Sequence, residues 1–142
     1  MSDTAYEERI VRTVEAFRQN RYDVSRFAER TAAADYLAAE IRGKRVGFGD
    51  SETLRALSLY ERLTVHNEVI DPPRAGHVGG IEAFLAAGRE ALMTDVFLLS
   101  ANAITEEGQI LNMDGAGNRV AGSLFGHEKT YFVVGINKLV PN

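Results

Sequence analysis

A run of four apolar residues constrains the fold of this chain more than any other feature. Val96–Leu99 is continuously apolar and is bounded by Asp95 and Ser100. This pattern is typical of a strand that is buried on both faces, and such strands occur in parallel sheets that are covered by helices. The run therefore predicts a layered α/β domain, in which a parallel sheet is flanked by helices.

The rest of the sequence alternates between strand and helix patterns, as expected for that architecture. The predicted strands cover residues 22–28, 44–48, 64–69, 96–99 and 131–134. The predicted helices run from a capping box at Thr4 and Glu7 to Asn20, from a Thr31 cap to Gly43, through Leu54, Leu57 and Tyr60, and from Ile81 to Leu92. A last predicted helix is formed by Val120, Ala121, Leu124 and Phe125, with Arg119 in its first turn. We expect a single domain over residues 1–142, with an N-terminal helical part at 1–43 and a core at 44–142.

Composition excludes several classes of site and partner. The chain has no cysteine, so it can form no disulfide, thiolate zinc site or cysteine-ligated iron–sulfur cluster. The formal net charge is -4 and basic residues are interspersed with acidic ones, which argues against nucleic-acid binding. No apolar run approaches the length of a membrane span. We therefore expect a cytoplasmic protein with no membrane partner and no cofactor in this chain.

A first candidate site is the segment 47–53, which predicts a strand that passes through two glycines into a capped helix. Gly49 allows the backbone to approach a ligand closely, and Asp50 and Ser51 follow it. The third glycine of a dinucleotide fingerprint and the lysine of a P-loop are both missing. The segment is either a ligand-binding turn or a tight strand-to-helix junction, and an Asp50 cap would itself occupy part of an anion site.

A second candidate site lies in the segment 100–119. Glu107-Gly108 between apolar residues predicts a hairpin turn, which places Glu106 beside that turn. The following glycine turn feeds a helix whose first turn holds Arg119, where the helix dipole disfavours a cation. An anion would offset this, either Asp114 or a bound carboxylate or phosphate. The candidate ligand-binding residues of this segment are Asn102, Asp114, Gly115, Gly117, Asn118 and Arg119.

A loop with two prolines is predicted over residues 71–77, because consecutive prolines remove backbone donors and fix φ. We interpret this loop as a lid. It carries His77, which is a candidate general acid or base because such groups often lie on loops. The three histidines of the chain lack the spacing of metal ligands, so no metal site is predicted. The candidate catalytic residues are therefore Asp50, Glu106 and His77.

Several segments resemble the lactate-utilisation domain family, also called LUD or LutC-like. The resemblance is carried by GFGDSETL at 47–54, TDVFLLSANAITEEG at 94–108, NMDGAGNRVA at 112–121, FG at 125–126 and VVGINK at 133–138. It implies a fold similar to that of the sugar-phosphate isomerases and CoA-transferases (NagB/RpiA/CoA-transferase-like). It also implies a role in oxidation of L-lactate to pyruvate together with iron–sulfur partner proteins. The positions it suggests as site-lining are Gly49, Asp50, Ser51, Asn102, Asp114, Asn118 and Arg119.

The resemblance leaves more than one function open. The first hypothesis is an accessory, non-redox subunit of a lactate-oxidising system, which binds a small carboxylate or phosphate or docks on an iron–sulfur partner. The alternatives are a self-sufficient enzyme of the sugar-phosphate isomerase or CoA-transferase type, and a regulatory small-molecule binder without chemistry. Members of the family generally continue with a further helix after the segment that corresponds to VVGINK at 133–138. We expect the surface around residues 131–134 to support self-association into a homo-oligomer.

Overall fold

The protein is described by a computed structural model over residues 2–141. Its helices are α1 (Asp3–Gln19), α2 (Arg30–Glu40), α3 (Glu52–Ala56), α4 (Leu59–Leu63), α5 (Pro72–Ala91) and α6 (Asn118–Leu124), with a 3-10 turn at Ile136–Lys138. Its strands are β1 (Arg45–Phe48), β2 (Glu68–Ile70), β3 (Val96–Leu99), β4 (Ala103–Thr105), β5 (Ile110–Leu111), β6 (Lys129–Phe132) and β7 (Leu139–Val140). The chain forms two compact units, a larger one at 27–100 and 113–133 and a smaller one at 2–26, 101–112 and 134–141.

The larger unit is built on a four-stranded parallel sheet in the order β2-β1-β3-β6. Val46 of β1 pairs with Val69 of β2 on one side and with Val96 of β3 on the other. Strand β3 then pairs with β6, with Leu98 opposite Tyr131. The prediction of a layered α/β fold with a parallel sheet is therefore confirmed.

Two cores lie on opposite faces of this sheet, which explains why the run at β3 is apolar throughout. Side chains alternate between the faces of a strand. Accordingly, Leu98 belongs to one core, which also contains buried residues of α2, α3 and α4. Phe97 and Leu99 belong to the other core, together with Ala91 at the end of α5. Helices thus cover both faces of the sheet, as the run predicts.

The smaller unit contains α1 and a three-stranded sheet in the order β5-β4-β7. Strands β4 and β5 form the predicted antiparallel hairpin, whose turn includes Gly108 at φ 78°. The side-chain amide of Asn20 at the end of α1 donates to the carbonyls of Glu107 and Gly108, both at 3.0 Å. The N-terminal helical part predicted over 1–43 is divided, because α1 belongs to this unit and α2 to the larger one.

Several predicted element boundaries are wrong. Residues 22–28 form no strand, and their apolar alternation is imperfect. Ser2 rather than Thr4 caps α1, accepting from the amide of Ala5 at 3.2 Å, and α2 begins without a side-chain cap. The predicted helix through Leu57 is divided into α3 and α4 because Ser58 adopts a left-handed conformation at φ 52°.

The predicted loop over 71–77 is also wrong, because the segment from Pro72 onward is helical. Asp71 caps the helix by accepting from the amide of Arg74, and the two prolines occupy the first turn, where a missing N–H costs no intrahelical bond. A break at Gly80, with φ 74° and ψ -163°, divides α5 into a first segment and a longer second one. His77 therefore lies on a helix and not on a loop.

Strand β6 forms one edge of the four-stranded sheet, and it lies in the region where we predict self-association. Tyr131 and Phe132 of this strand are half-buried. An edge strand offers unpaired backbone groups to a second chain. We therefore expect light scattering at micromolar concentration to give the molar mass of a dimer or larger oligomer. A monomeric mass over that range would contradict the prediction.

Candidate functional site

The carboxyl ends of the four parallel strands in the larger unit lie side by side at one end of the sheet, which we call the carboxyl edge. After β1, the chain passes into α3 and α4, which cover one face of the sheet. Helix α6 packs against β3 on the opposite face, where Gly122 lies directly against the ring of Phe97. In open α/β sheets, ligands bind outside the carboxyl ends of the strands at the point where connections diverge in this way. That point lies between Gly49, after β1, and Ser100, after β3.

The turn after β1 is tightly packed on the side of β3. The amide of Gly49 donates to the carbonyl of Leu98 at 2.8 Å. A Cβ atom at Gly49 would lie 2.8 Å from Cγ of Arg119 and 3.1 Å from Cβ of Leu99, so the close approach requires glycine. Ser51 is buried, and its side chain caps α3 by accepting from the amide of Leu54 at 3.2 Å. The strand-to-helix junction predicted over 47–53 is present.

Arg119 lies in the first turn of α6, as predicted, and its internal partner is Asp114. The Asp114 side chain is 3% exposed, accepts from Arg119 Nε and also accepts from the amide of Val120 at 2.7 Å. Arg119 Nη2 donates to the carbonyl of Met113 at 2.7 Å. Of the two anions considered from the sequence, the carboxylate of Asp114 is therefore in place beside Arg119.

Arg119 also connects the two candidate segments. Its Nη1 donates to the carbonyl of Asp50 at 3.2 Å, although the two residues are 69 positions apart. A guanidinium has five N–H groups, and the contacts to Asp114, Met113 and Asp50 use three of them. The side chain is 23% exposed, so solvent reaches it.

The glycine turn before α6 is exposed. Gly115 and Gly117 have open space around the position of a Cβ atom, and Gly117 adopts φ 85°. Asn118 is the first residue of α6 and is half-buried. Exposed backbone amides in such a turn can hydrogen-bond an anion.

Two of the three candidate catalytic residues line a single open groove of about 440 Å³. Asp50 and His77 face this groove together with Arg55, Pro73, Gly76 and Phe84. Arg55 Nη1 lies 2.9 Å from Asp50, and Arg55 Nη2 lies 2.5 Å from Glu52. These two hydrogen bonds raise the pKa of the Arg55 guanidinium, and the bond to Glu52 makes the larger contribution.

The remaining two predicted site residues belong to the smaller unit. Glu106 lies 3.0 Å from Arg9 Nε and 3.4 Å from Arg12 Nη2, both on α1. Its carboxylate is thus engaged by two guanidinium groups. The backbone amide of Asn102 donates to the carbonyl of Leu111 at 3.0 Å, within the hairpin.

One residue near the carboxyl edge, Arg55, escaped the sequence-based prediction. Arg55 stands one helical turn after the Ser51 cap, a spacing that returns its side chain toward Asp50. Arg55 could have been found by taking the residues that flank the glycine-containing motif at 47–54 as well as the motif itself.

Within residues 2–141, no group of three or more histidine, aspartate or glutamate side chains is arranged to hold a metal ion. The helices over the same residues include none that is long and apolar enough to cross a membrane.

Comparison with known proteins gives one family. No curated protein and no solved structure matches the sequence significantly. The family model of the LUD domain matches residues 10–142, which is nearly the whole chain and includes both candidate segments. The chain therefore belongs to the LUD domain family.

Proposed function

We propose that this chain is an accessory, non-redox subunit of a lactate-oxidising system and that it binds a small carboxylate or phosphate at the carboxyl edge of its parallel sheet. The observation that carries the proposal is the contact of Arg119 with Asp50, which joins two motifs that are far apart in the sequence. Membership of the LUD domain family supports the metabolic setting.

Charge and hydrogen bonding at this edge fit a small anion. Arg119 is tied to Asp114 and to backbone carbonyls by three N–H groups, which fixes the orientation of the guanidinium. The remaining N–H groups and the exposed amides at Gly115 and Gly117 can donate to ligand oxygens. Because Asp114 already balances the charge of Arg119, we expect modest affinity that depends on geometry more than on net charge.

The proposed division of labour follows from the chemistry of the reaction. L-Lactate loses two electrons and two protons when it becomes pyruvate, and a cluster that accepts those electrons needs ligands such as cysteine thiolates. These 142 residues contain no cysteine. We therefore place the electron acceptor on an iron–sulfur partner, while this chain binds and orients the anionic metabolite or docks on that partner.

Anion binding can be tested by thermal unfolding. L-Lactate, pyruvate and inorganic phosphate are expected to raise the unfolding temperature relative to sodium chloride at the same ionic strength. A ligand at about 100-fold its Kd stabilises the folded state by about 2.7 kcal/mol. Arg119→Met should reduce this ligand-induced shift. Each shift is measured against the same variant without ligand, because loss of Arg119 also leaves the buried Asp114 unpaired. Arg62→Met is the control for removal of a paired guanidinium away from the site, because Arg62 pairs with Asp35 elsewhere in the larger unit.

Three results would count against the proposal. If none of the three anions stabilises the wild-type chain, it has no anion site. If Arg119→Met responds as the wild type does, Arg119 is not part of that site. If the chain alone reduces a dye acceptor with L-lactate as the electron donor, it is not an accessory subunit.

A second candidate is a self-sufficient enzyme that acts on a phosphorylated sugar, and one observation favours it. Asp50 and His77 line the same groove, and a carboxylate with an imidazole can perform acid–base catalysis. Interconversion of an aldose phosphate and a ketose phosphate by the chain alone, with loss of activity in His77→Gln, would support this candidate over the first.

The CoA-transferase version requires a glutamate free to act as nucleophile, whereas Glu106 is bound to Arg9 and Arg12.

A further inference from the structure

The second segment of α5, which follows the break at Gly80, exposes a stripe of apolar side chains. Leu85 and Ala86 are exposed near its centre, and Leu85 is 43% accessible. Ile81 at its start is 68% exposed, and Met93 just beyond its end is 78% exposed. Residues four apart lie on the same side of a helix. An exposed apolar stripe with polar residues beside it is typical of a protein–protein interface.

Two residues of opposite charge lie on the same side of this segment. Glu82 and Arg89 are exposed, and neither forms an ion pair with any residue over 2–141. The neighbouring Glu90, in contrast, pairs with Arg45 at 3.0 Å. Glu82 and Arg89 are about 10.5 Å apart along the helix axis, which is too far for them to pair with each other. Both charges are therefore available to a second molecule.

The spacing of these residues makes the surface complementary to itself. Glu82 and Arg89 are equally far from the midpoint between Leu85 and Ala86. A two-fold axis through that midpoint, perpendicular to the helix, brings a second copy of α5 antiparallel to the first. Glu82 of each copy then faces Arg89 of the other, and Leu85 faces the small Ala86, so the helices can approach closely. A parallel arrangement would instead place like charges opposite each other.

We infer that this surface, which we call the α5 face, is the interface of an antiparallel, two-fold symmetric dimer of this chain. It consists of Ile81, Glu82, Leu85, Ala86, Arg89 and Met93. A second copy is its occupant because it supplies both charges at the required spacing and in the reverse order. One helix face is small beside the roughly 800 Å² that each partner buries in a standard interface, so we expect a dissociation constant in the micromolar range. The α5 face includes no residue of the proposed anion site and none of β6.

Charge reversal tests this arrangement. In Glu82→Arg or Arg89→Glu, both pairs between the copies become like-charged, so the dissociation constant of the dimer should rise by about 10-fold or more. Sedimentation velocity over the micromolar range measures this constant. Because each variant carries charges of a single sign at these two positions, an equal mixture of the two should recover wild-type association. The double variant Glu82→Arg/Arg89→Glu should recover it as well.

Arg30→Glu is the matched control. It changes the net charge as Arg89→Glu does, at an exposed position of α2 on the opposite face of the sheet, and it should associate as the wild type does. Far-UV circular dichroism checks that each variant is folded. If Arg30→Glu weakens association equally, net charge is the cause and the inference is wrong.

Three further results would overturn the inference. A monomeric wild type would show that no dimer forms. Equal association of the wild type and both single variants would show that the copies meet at another surface, such as the edge of β6. If the mixture of the two variants stays dissociated, Glu82 and Arg89 do not face each other. Each of these results leaves the proposed function standing, because the thermal shifts with L-lactate, pyruvate and phosphate test the anion site separately.

Discussion

Gly47→Ala is expected to lower the free energy of unfolding by about 3 kcal/mol, at the upper end of the range for overpacked cores. Gly47 lies in β1, between β2 and β3. A Cβ atom there would be 2.5 Å from the carbonyl oxygen of Ala91 and 2.7 Å from Oγ1 of Thr94. Because the nearest atom belongs to the backbone of α5, the contact can be relieved only by moving the helix away from the sheet.

Gly88→Ala provides the control for this substitution, since Gly88 is a buried glycine of the same helix. A Cβ atom at Gly88 has no neighbour within 4 Å, and alanine favours the helical conformation over glycine by about 0.5–1 kcal/mol. We therefore expect Gly88→Ala to be more stable than the wild type. Urea unfolding followed by circular dichroism compares the variants, and equal midpoints for Gly47→Ala and Gly88→Ala would show that the sheet and α5 do not pack as described.

Asp114→Ala is expected to cost about 3 kcal/mol of unfolding free energy, at the lower end of the range for breaking a buried ion pair. The carboxylate accepts from Arg119 Nε and from the amide of Val120, and its side chain is almost completely buried. Its loss leaves the guanidinium of Arg119 without its counter-charge and the first turn of α6 without a partner. The lower end of the range applies because Arg119 is partly exposed.

Asp35→Ala tests whether burial is the cause of this large effect. Asp35 also pairs with an arginine, Arg62, but about two thirds of its side chain is exposed. Exposed ion pairs contribute about 0–1 kcal/mol, so this variant should remain close to the wild type in urea unfolding. If Asp114→Ala is as mild as Asp35→Ala, Asp114 does not anchor Arg119. A mild Asp114→Ala would also weaken the case for a site that Arg119 helps to form.

The features predicted correctly from the sequence depend on short-range patterns. The buried run at β3 follows from hydrophobicity alone, and the hairpin at Gly108 follows from one turn between apolar residues. Arg119 is correctly placed in the first turn of α6 because Gly117 precedes the helix directly. These inferences need no knowledge of which segments meet in space.

The errors arise where local signals conflict or where the decisive contact is remote. Pro72 and Pro73 indicate a loop when they are treated as helix breakers, but the Asp71 cap before them makes the first turn of a helix the better solution. The contact between Arg119 and Asp50 spans 69 positions, and no periodicity in either segment reveals it.

The parallel pairing of β4 with β7 has a consequence for synthesis of the chain. Ile104 pairs with Leu139, so one side of β4 stays unpaired while the intervening residues emerge from the ribosome. The four-stranded sheet of the larger unit, in contrast, can be completed as soon as β6 has been synthesised, which is before β7. An unpaired strand edge on a nascent chain is prone to aggregation. Chaperone demand should therefore peak in the interval between translation of β4 and translation of β7.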